Sequence, residues 1–325
     1  MPKSNTLNML GRVISNPKKF AGEWRRTQQD LAQAQNKIAF VEHRLLEANQ
    51  RLVEADRRLA EAYARITIQA KTTTTKQLKV PTDYPWPDVS KIISEMDGMF
   101  DGNSNHYLGV GISAMQNIAF ALEAGFIGHI SSILDMPCGY GRVTRVLRVS
   151  FSAAEISVCD IDADAVAFCA AHFNARPLAS SADFARLNFD RTFDLIWVGS
   201  LITHLPEPAT ANFIAFVLRH LSSQGVAVMS SHGAYVAGRI EAGQNYGIER
   251  DATLGLLDDY FRTGYGYANY SGVNAVDKYG ISTIGRRWLE GKVVTAGGML
   301  VSYRDHAWDR HHDVIAFARN DGKSD

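Results

Sequence analysis

Three observations predict an α/β fold, a doubly wound parallel sheet preceded by a long coiled-coil helix. From residue 130 onward, short apolar runs alternate with helix-patterned segments, as parallel strands and their crossover helices do. The first run, Ile130 to Leu134, ends in Asp135 and enters the turn Pro137-Cys138-Gly139-Tyr140-Gly141. Far upstream, Leu31, Ile38, Leu45, Leu52, Leu59 and Ile66 recur every seventh residue.

Residues 1–22 are basic, with Lys3, Arg12, Lys18 and Lys19 and no acid. Leu7, Leu10, Val13 and Ile14 lie at helical spacing but form no continuous apolar core, which argues against a secretory signal. The segment reads as a solvated terminus, with a weak membrane-surface association as the alternative. Residues 23–70 contain no proline or glycine, and Ala34, Val41, Ala48, Ala55 and Ala62 follow the seventh-residue positions by three. That is a coiled-coil seam with large residues at a and mostly alanine at d, on a helix about 50 Å long. Flanking charges favour a parallel pair. Lys37 would meet Glu42 and Arg51 would meet Asp56, whereas an antiparallel pair would oppose arginines. A homo-oligomer through this parallel coiled coil is expected.

Residues 71–88 form a linker, poor in helix formers at Thr72 to Thr75 and then extended by Pro81, Pro85 and Pro87. A catalytic-type domain fills residues 89–325. A helical pattern covers Val89 to Phe100, and the segment His106 to Gly111 precedes a helix over Ser113 to Ala124. After the Gly139 turn comes a helix begun by Val143, Val146 and Leu147, then a second apolar run from Ile156 ending in Asp160. A helix over Asp162 to Phe173, short strands at Pro177 to Ala179 and Phe193 to Val198, a helix over Pro208 to Leu221 and a strand at Gly225 to Met229 continue the alternation. Residues 234–290 interrupt it. Their tyrosines and glycines (Tyr265-Gly266-Tyr267, Tyr270, Tyr279-Gly280) suggest an irregular lid-like insertion. The last strands are Gly298 to Tyr303 and Asp313 to Arg319.

Composition narrows the function. With 34 basic and 34 acidic side chains there is no overall basic field, so no nucleic-acid partner is expected. Three cysteines, Cys138, Cys159 and Cys169, without framework spacing suggest reduced thiols and a cytoplasmic setting. No apolar run approaches the length of a bilayer span.

A strand, a glycine-bearing turn and a helix open a nucleotide site in a parallel sheet, and an acid about 20 residues on is placed for ribose hydroxyls. Asp160 holds that position. A dinucleotide site would need a third glycine where Thr144 stands, which disfavours a dehydrogenase. An acid directly before a short Gly-x-Gly turn suits S-adenosylmethionine, whose amino group and sulfonium are cationic.

At this point the chain from about Tyr107 to Arg319 resembles a class I S-adenosylmethionine-dependent methyltransferase. The family's acid-x-Gly-x-Gly-x-Gly motif maps onto Asp135 to Gly141, with Pro137 in place of the first glycine. The resemblance implies a Rossmann-like seven-stranded sheet. It also implies cofactor contacts from Asp135, Pro137, Cys138, Gly139 and Gly141, from Asp160 and Ile161, from Asp183 and Phe184 after the third strand, and from Ser200 after the fourth. His106 and Tyr107, ahead of the first strand, become candidates to close over the cofactor. The runs Phe-Asp-Leu-Ile-Trp-Val-Gly-Ser-Leu-x-Thr-His-Leu and Trp-Asp-x-His-x-Asp-Val further resemble methyltransferases associated with bacterial surface glycans.

For a hydroxyl acceptor the site must align two reactants and remove a proton. Neutral histidine suits that task near pH 7. Three catalytic candidates lie where parallel strands end: His204 first, at the family's acceptor-side position, then His312 and His232. No metal ligand set is assigned, because the neighbours His311, His312 and Asp313 project differently and no fixed second pair accompanies them. The expected activity is O-methylation of a sugar or other small-molecule or glycan acceptor. The alternative is a coiled-coil scaffold that binds the cofactor without catalysis.

Overall fold

The computed structural model describes residues 89–272 and 279–321, with residues 26–35 and a few others between 18 and 44. The latter are helical and exposed; most of the 23–70 heptads and the whole 71–88 linker lie outside the described residues. The chain divides into two units, residues 1–77 and 78–325. No helix among the described residues is long and apolar enough to cross a membrane.

The second unit is built on a seven-stranded mixed sheet. Its strands are β1 (Ser132–Asp135), β2 (Glu155–Cys159), β3 (Arg176–Leu178), β4 (Phe193–Val198), β5 (Leu221–Ser231), β8 (Gly298–Trp308) and β9 (His312–Arg319), in the order β3-β2-β1-β4-β5-β9-β8. β1 to β5 run parallel, and β9 is antiparallel to both β5 and β8. Helices α1 (Ser104–Ala124), α2 (Thr144–Ser150), α3 (Ala163–Phe173) and α4 (Glu207–His220) accompany it. This is the doubly wound, Rossmann-like sheet expected.

Alternation along the strands feeds two cores. Ile133, Leu195, Trp197, Val226 and Val228 join Tyr107, Met115, Ile118, Val146 and Leu147 on one face. Leu134, Ile196, Val198, Ala227 and Met229 join Phe213, Phe216 and Val217 on the other. Near-continuous apolar strands are what a sheet covered on both faces requires. At the amino end of β4, Asp194 fastens three strands, accepting from the N–H and Oγ of Ser131 and Ser132 and from Ser222 Oγ at 2.7–3.1 Å. Burial would raise its pKa, but these donors outweigh it and hold the carboxyl down to about 2.

Several local expectations fail for identifiable reasons. Residues 89–100 are turns rather than a helix. Ser90 and Ser94 hydroxyls take the N–H groups two residues on, at 3.4 and 3.1 Å, and Arg145 draws the Ser90 and Ile92 carbonyls to itself at 3.0 and 2.7 Å. Side chains here compete for the backbone bonds a helix would need. His106 to Gly111, expected ahead of a helix, lies inside α1, which starts at the Asn103 cap accepting from His106 N at 3.1 Å. Gly111 is there for packing, since a Cβ would press on Arg142 O and Val146 of α2.

The 234–290 insertion is not irregular. It comprises α5 (Ala234–Glu241), α6 (Arg250–Thr263), a hairpin of β6 (Tyr265–Asn269) and β7 (Gly280–Ile284), and the start of α7 (Arg286–Thr295). Its tyrosines are partly structural: buried Tyr265 donates to Leu205 O at 2.8 Å, a bond that ties the hairpin to the segment after β4. β8 runs on to Trp308, whose indole N–H reaches Val110 O at 3.0 Å and whose ring meets Trp197 edge-on. The expected loop from Arg304 to His312 is therefore mostly strand.

Candidate active site

The glycine turn after β1 is held from both sides. Gly139 N donates to Asp160 Oδ2 at 2.8 Å, and Cys138 N donates to Cys159 O at 3.1 Å, so the turn is stitched to the end of β2. The Met136–Pro137 peptide is cis, and Gly139 and Gly141 have φ of 47° and 82°. Their roles differ. A Cβ on Gly141 would overlap the Phe173 ring, whereas one on Gly139 would meet nothing within 4 Å. Gly141 lets α3 close against the turn; Gly139 leaves room for a ligand to approach the backbone.

Behind the turn lies Arg145, only 1% exposed. It donates to Gly141 O at 2.9 Å, Tyr140 O at 3.2 Å and the two carbonyls of residues 90 and 92. Burial lowers its pKa, opposed by the Tyr107 and Asp97 side chains. Sequence reading passed over it. Its one signal is an arginine set among the apolar residues Val143, Val146 and Leu147 of a short helix.

The carboxylates give the turn its charge. Asp135 is buried, and its Oδ2 accepts from Thr144 Oγ1 at 2.6 Å. Its Oδ1 has no partner among the described residues. Burial pushes its pKa up to about 7; the Thr144 donor opposes this and Asp160 adds to it. Thr144, where a dinucleotide site would have glycine, is thus the partner of the motif acid. Asp160 spends one bond per oxygen, on Gly139 N and on Asp162 N at 3.0 Å, and keeps lone pairs for further donors. Next to it Ile161 is 74% exposed, an apolar surface beside the strand end. An orphaned buried carboxylate oxygen, an open glycine and a ribose-competent acid fit S-adenosylmethionine.

Other expected contacts divide. Ser200, at φ 63°, follows β4 and is held by its N–H to Ser230 Oγ at 2.8 Å and by its Oγ against Thr203 Oγ1 at 3.0 Å. Asp183 is half-exposed, accepts from Ala185 N at 3.2 Å and pairs with Arg186. Phe184 needs correction. Its ring is buried between Phe213 and Phe216, a consequence of the aromatic cluster on α4, and it serves the core. Tyr107 also needs correction as a closing element: it is a buried α1 residue whose hydroxyl donates to Asp97, with Arg142 and Arg145 over its ring at 5.0 and 5.2 Å. His106 instead bridges to Asp309 at 3.3 Å.

Further along the same sheet edge stand the histidines. His204 closes a 3-10 turn (Ile202–His204) after β4. Its Nδ1 faces Gly280 O at 3.1 Å and Tyr270 OH at 2.9 Å, and its ring stacks on Tyr279 at 5.2 Å. Burial lowers its pKa, opposed by the Gly280 carbonyl. His232 follows β5, with its carbonyl accepting from Ile284 N at 2.7 Å. His312 opens β9, its Nδ1 3.4 Å from Ser230 Oγ. The His232 and His312 rings lie 4.7 Å apart. All three catalytic candidates lie on one sheet edge, at the ends of β4 and β5 and the start of β9. Ser230, buried at the end of apolar β5, links Ser200 to His312 and was invisible as a functional residue.

Residues 133–225 match the family described as Methyltransferase domain. Among solved structures, an S-adenosylmethionine-dependent methyltransferase from Clostridium acetobutylicum ATCC 824 is similar at 14% identity and a TM-score of 0.46, over 64% of this chain and 91% of that one. Streptomyces venezuelae DesVI is similar at 12% identity and a TM-score of 0.45, over 65% and 92%. The glycopeptide N-methyltransferase MtfA gives 11% and 0.43, over 64% and 90%. No curated protein matches the chain in sequence. The matched segment holds the glycine turn, Asp160 and His204, and the methyltransferase cofactor that these residues suit is S-adenosylmethionine.

Proposed function

We propose that this domain O-methylates a hydroxyl acceptor, a sugar or related small molecule or glycan, with His204 as the base. One observation carries the reading. A carbonyl oxygen only accepts hydrogen bonds, so Gly280 O at 3.1 Å requires the proton of His204 on Nδ1. Nε2 then carries the lone pair. Burial keeps the ring neutral at pH 7, and Tyr270 and Tyr279 present aromatic faces beside it, surfaces that suit the C–H face of a sugar ring.

Bound S-adenosylmethionine would supply a methyl group on cationic sulfur for the acceptor oxygen, the carbon–sulfur bond breaking with its electron pair left on sulfur. His204 takes the hydroxyl proton at Nε2 and holds it as the imidazolium until release to solvent. Asp160 would hold the ribose hydroxyls, and Asp135 lies where a cationic amino group would offset its buried charge. Transfer from labelled cofactor to a panel of glycans, sugars and small phenols tests the activity. His204→Gln should lower turnover by about 10²–10⁴-fold with cofactor affinity nearly unchanged. Turnover that survives this substitution removes His204 from the role, and a collapse confined to His312→Ala or His232→Ala would move the base there.

We also propose that residues 23–70 pair copies of the chain in parallel. Leu31 and Ile38, successive a positions in the seam, are 50% and 58% exposed, which leaves an apolar stripe for a second helix. Removing residues 1–75 should leave a cofactor-binding domain that no longer self-associates, as read by light scattering. A full-length chain already monomeric at micromolar concentration would sink the idea.

A further inference from the structure

Three imidazoles meet at the acceptor edge from two distant segments. His232 follows the end of β5, His311 lies in the turn between β8 and β9, and His312 opens β9. Ring centroids lie 4.7 Å apart for His232 and His312, 5.4 Å for His232 and His311, and 5.1 Å for His311 and His312. One ring nitrogen from each lies within 4.8 Å of the other two. His232 is 6% exposed, and its Nδ1 is buried without a hydrogen-bond partner among the described residues.

The surroundings hold these rings in place without using their nitrogens up. Ile284 N fixes the His232 backbone, and Tyr246 stacks on His311 at 5.9 Å. Ser230 Oγ stands at His312 Nδ1, the kind of outer contact that orients a ligand ring so that its other nitrogen faces inward. Asp313, adjacent in sequence, is not part of the set: its carboxylate accepts from Tyr303 OH at 2.6 Å and His306 N at 2.8 Å and so braces the turn. Neutral imidazole with a free lone pair is the ligand form.

We propose that His232, His311 and His312 bind one divalent transition-metal ion of the zinc class, leaving one coordination position for the acceptor oxygen. Imidazole donors suit zinc, cobalt or nickel, whereas magnesium prefers oxygen. Three histidines with an open fourth position form a catalytic rather than a structural arrangement. Tetrahedral bonds to zinc place ligand nitrogens about 3.3 Å apart, so the rings must draw in, a movement open to half-buried His311. A hydroxyl bound there would lose its proton to His204 more readily. This role rests on reading the edge as the acceptor site; the metal site itself does not.

The test uses tag-free, full-length protein stripped with chelator and titrated with Co²⁺, followed by visible d–d absorption, with Zn²⁺ displacement as a second readout. One ion per chain is expected. His311→Ala and His232→Ala should each weaken binding by about 100-fold, and His129→Ala, at an exposed histidine, should leave it unchanged. If His232→Ala does not fold, His311→Ala carries the test, with its circular dichroism as the control. Absence of saturable binding, or binding indifferent to His311, overturns the site. Saturable binding without methyl transfer to any hydroxyl acceptor upholds the metal and sinks the acceptor reading. Transfer that proceeds undiminished in chelator, with no Co²⁺ bound, does the reverse.

Discussion

The two ends of the candidate site are built differently. The glycine end, around Asp135, Gly139, Gly141 and Asp160, comes from one strand–turn–helix–strand stretch and works through backbone and carboxylates. The histidine end gathers His204, Ser230, His232, His311 and His312 from the ends of β4, β5 and β8–β9, and works through side chains. The first is anionic and suits a cationic sulfonium and amine. The second is neutral, rich in lone pairs, and suits proton removal or a metal ion. On the proposed reading, donor binding is written into local chain geometry, while acceptor chemistry depends on distant segments arriving together.

Four measurements would break or sharpen that contrast, beginning with the largest effect. Gly141→Ala combines a side chain at φ 82° with overlap on the Phe173 ring and should destabilise the domain by about 3 kcal/mol or more in urea unfolding. Gly139→Ala has open space and should cost only about 1 kcal/mol while impairing cofactor binding. Equal stability losses would mean the two glycines do not divide packing from ligand approach.

Asp160→Ala comes next. It removes the proposed ribose acceptor and the partner of Gly139 N, so affinity for S-adenosylmethionine should fall by about 1.5–3 kcal/mol in calorimetry. An unchanged Kd would remove Asp160 from the cofactor site. At the histidine end, Ser230→Ala strips the buried acceptor of Ser200 N and should cost about 1–2 kcal/mol of stability. A neutral substitution would show that water or a shifted backbone satisfies Ser200 instead.

The smallest effect is a proton count. Burial raises the Asp135 carboxyl to about 7, so in the free protein it is partly protonated at neutral pH. A cationic cofactor favours the ionised form, and its binding should therefore release about 0.5 proton at pH 7. Affinity should rise with pH up to about 7 and level off above it. Calorimetry in buffers of different ionisation enthalpy reads the release, and Asp135→Asn should abolish it. The same release from the asparagine variant would assign the proton elsewhere.

Much of this was open to sequence reading, and the exceptions share a cause. Strand alternation, the turn glycines and the acid after β2 were legible because each depends on residues within a few positions of one another. Residues 89–100 misled because Ser90, Ser94 and Arg145 compete for backbone groups that a periodicity count assigns to a helix. The segment His106 to Gly111 is expected ahead of a helix, yet it lies inside α1, where Gly111 permits a close helix crossing. Phe184 and Tyr107 had the right positions for ligand contact, but neighbouring rings and Asp97 claimed them.

By itself, the sequence determined the α/β alternation, the placement of a glycine turn before β2 and the candidacy of three histidines, since short apolar runs and glycine signals are properties of neighbouring residues. Tertiary structure alone decided that Arg145 braces the turn from behind, that His204 Nδ1 faces the Gly280 carbonyl, and that His232 meets His311 and His312. Those facts depend on which strand ends lie side by side in a mixed sheet where β9 inserts between β5 and β8. A linear chain does not display that adjacency, because the contacts that create it join residues far apart along the chain.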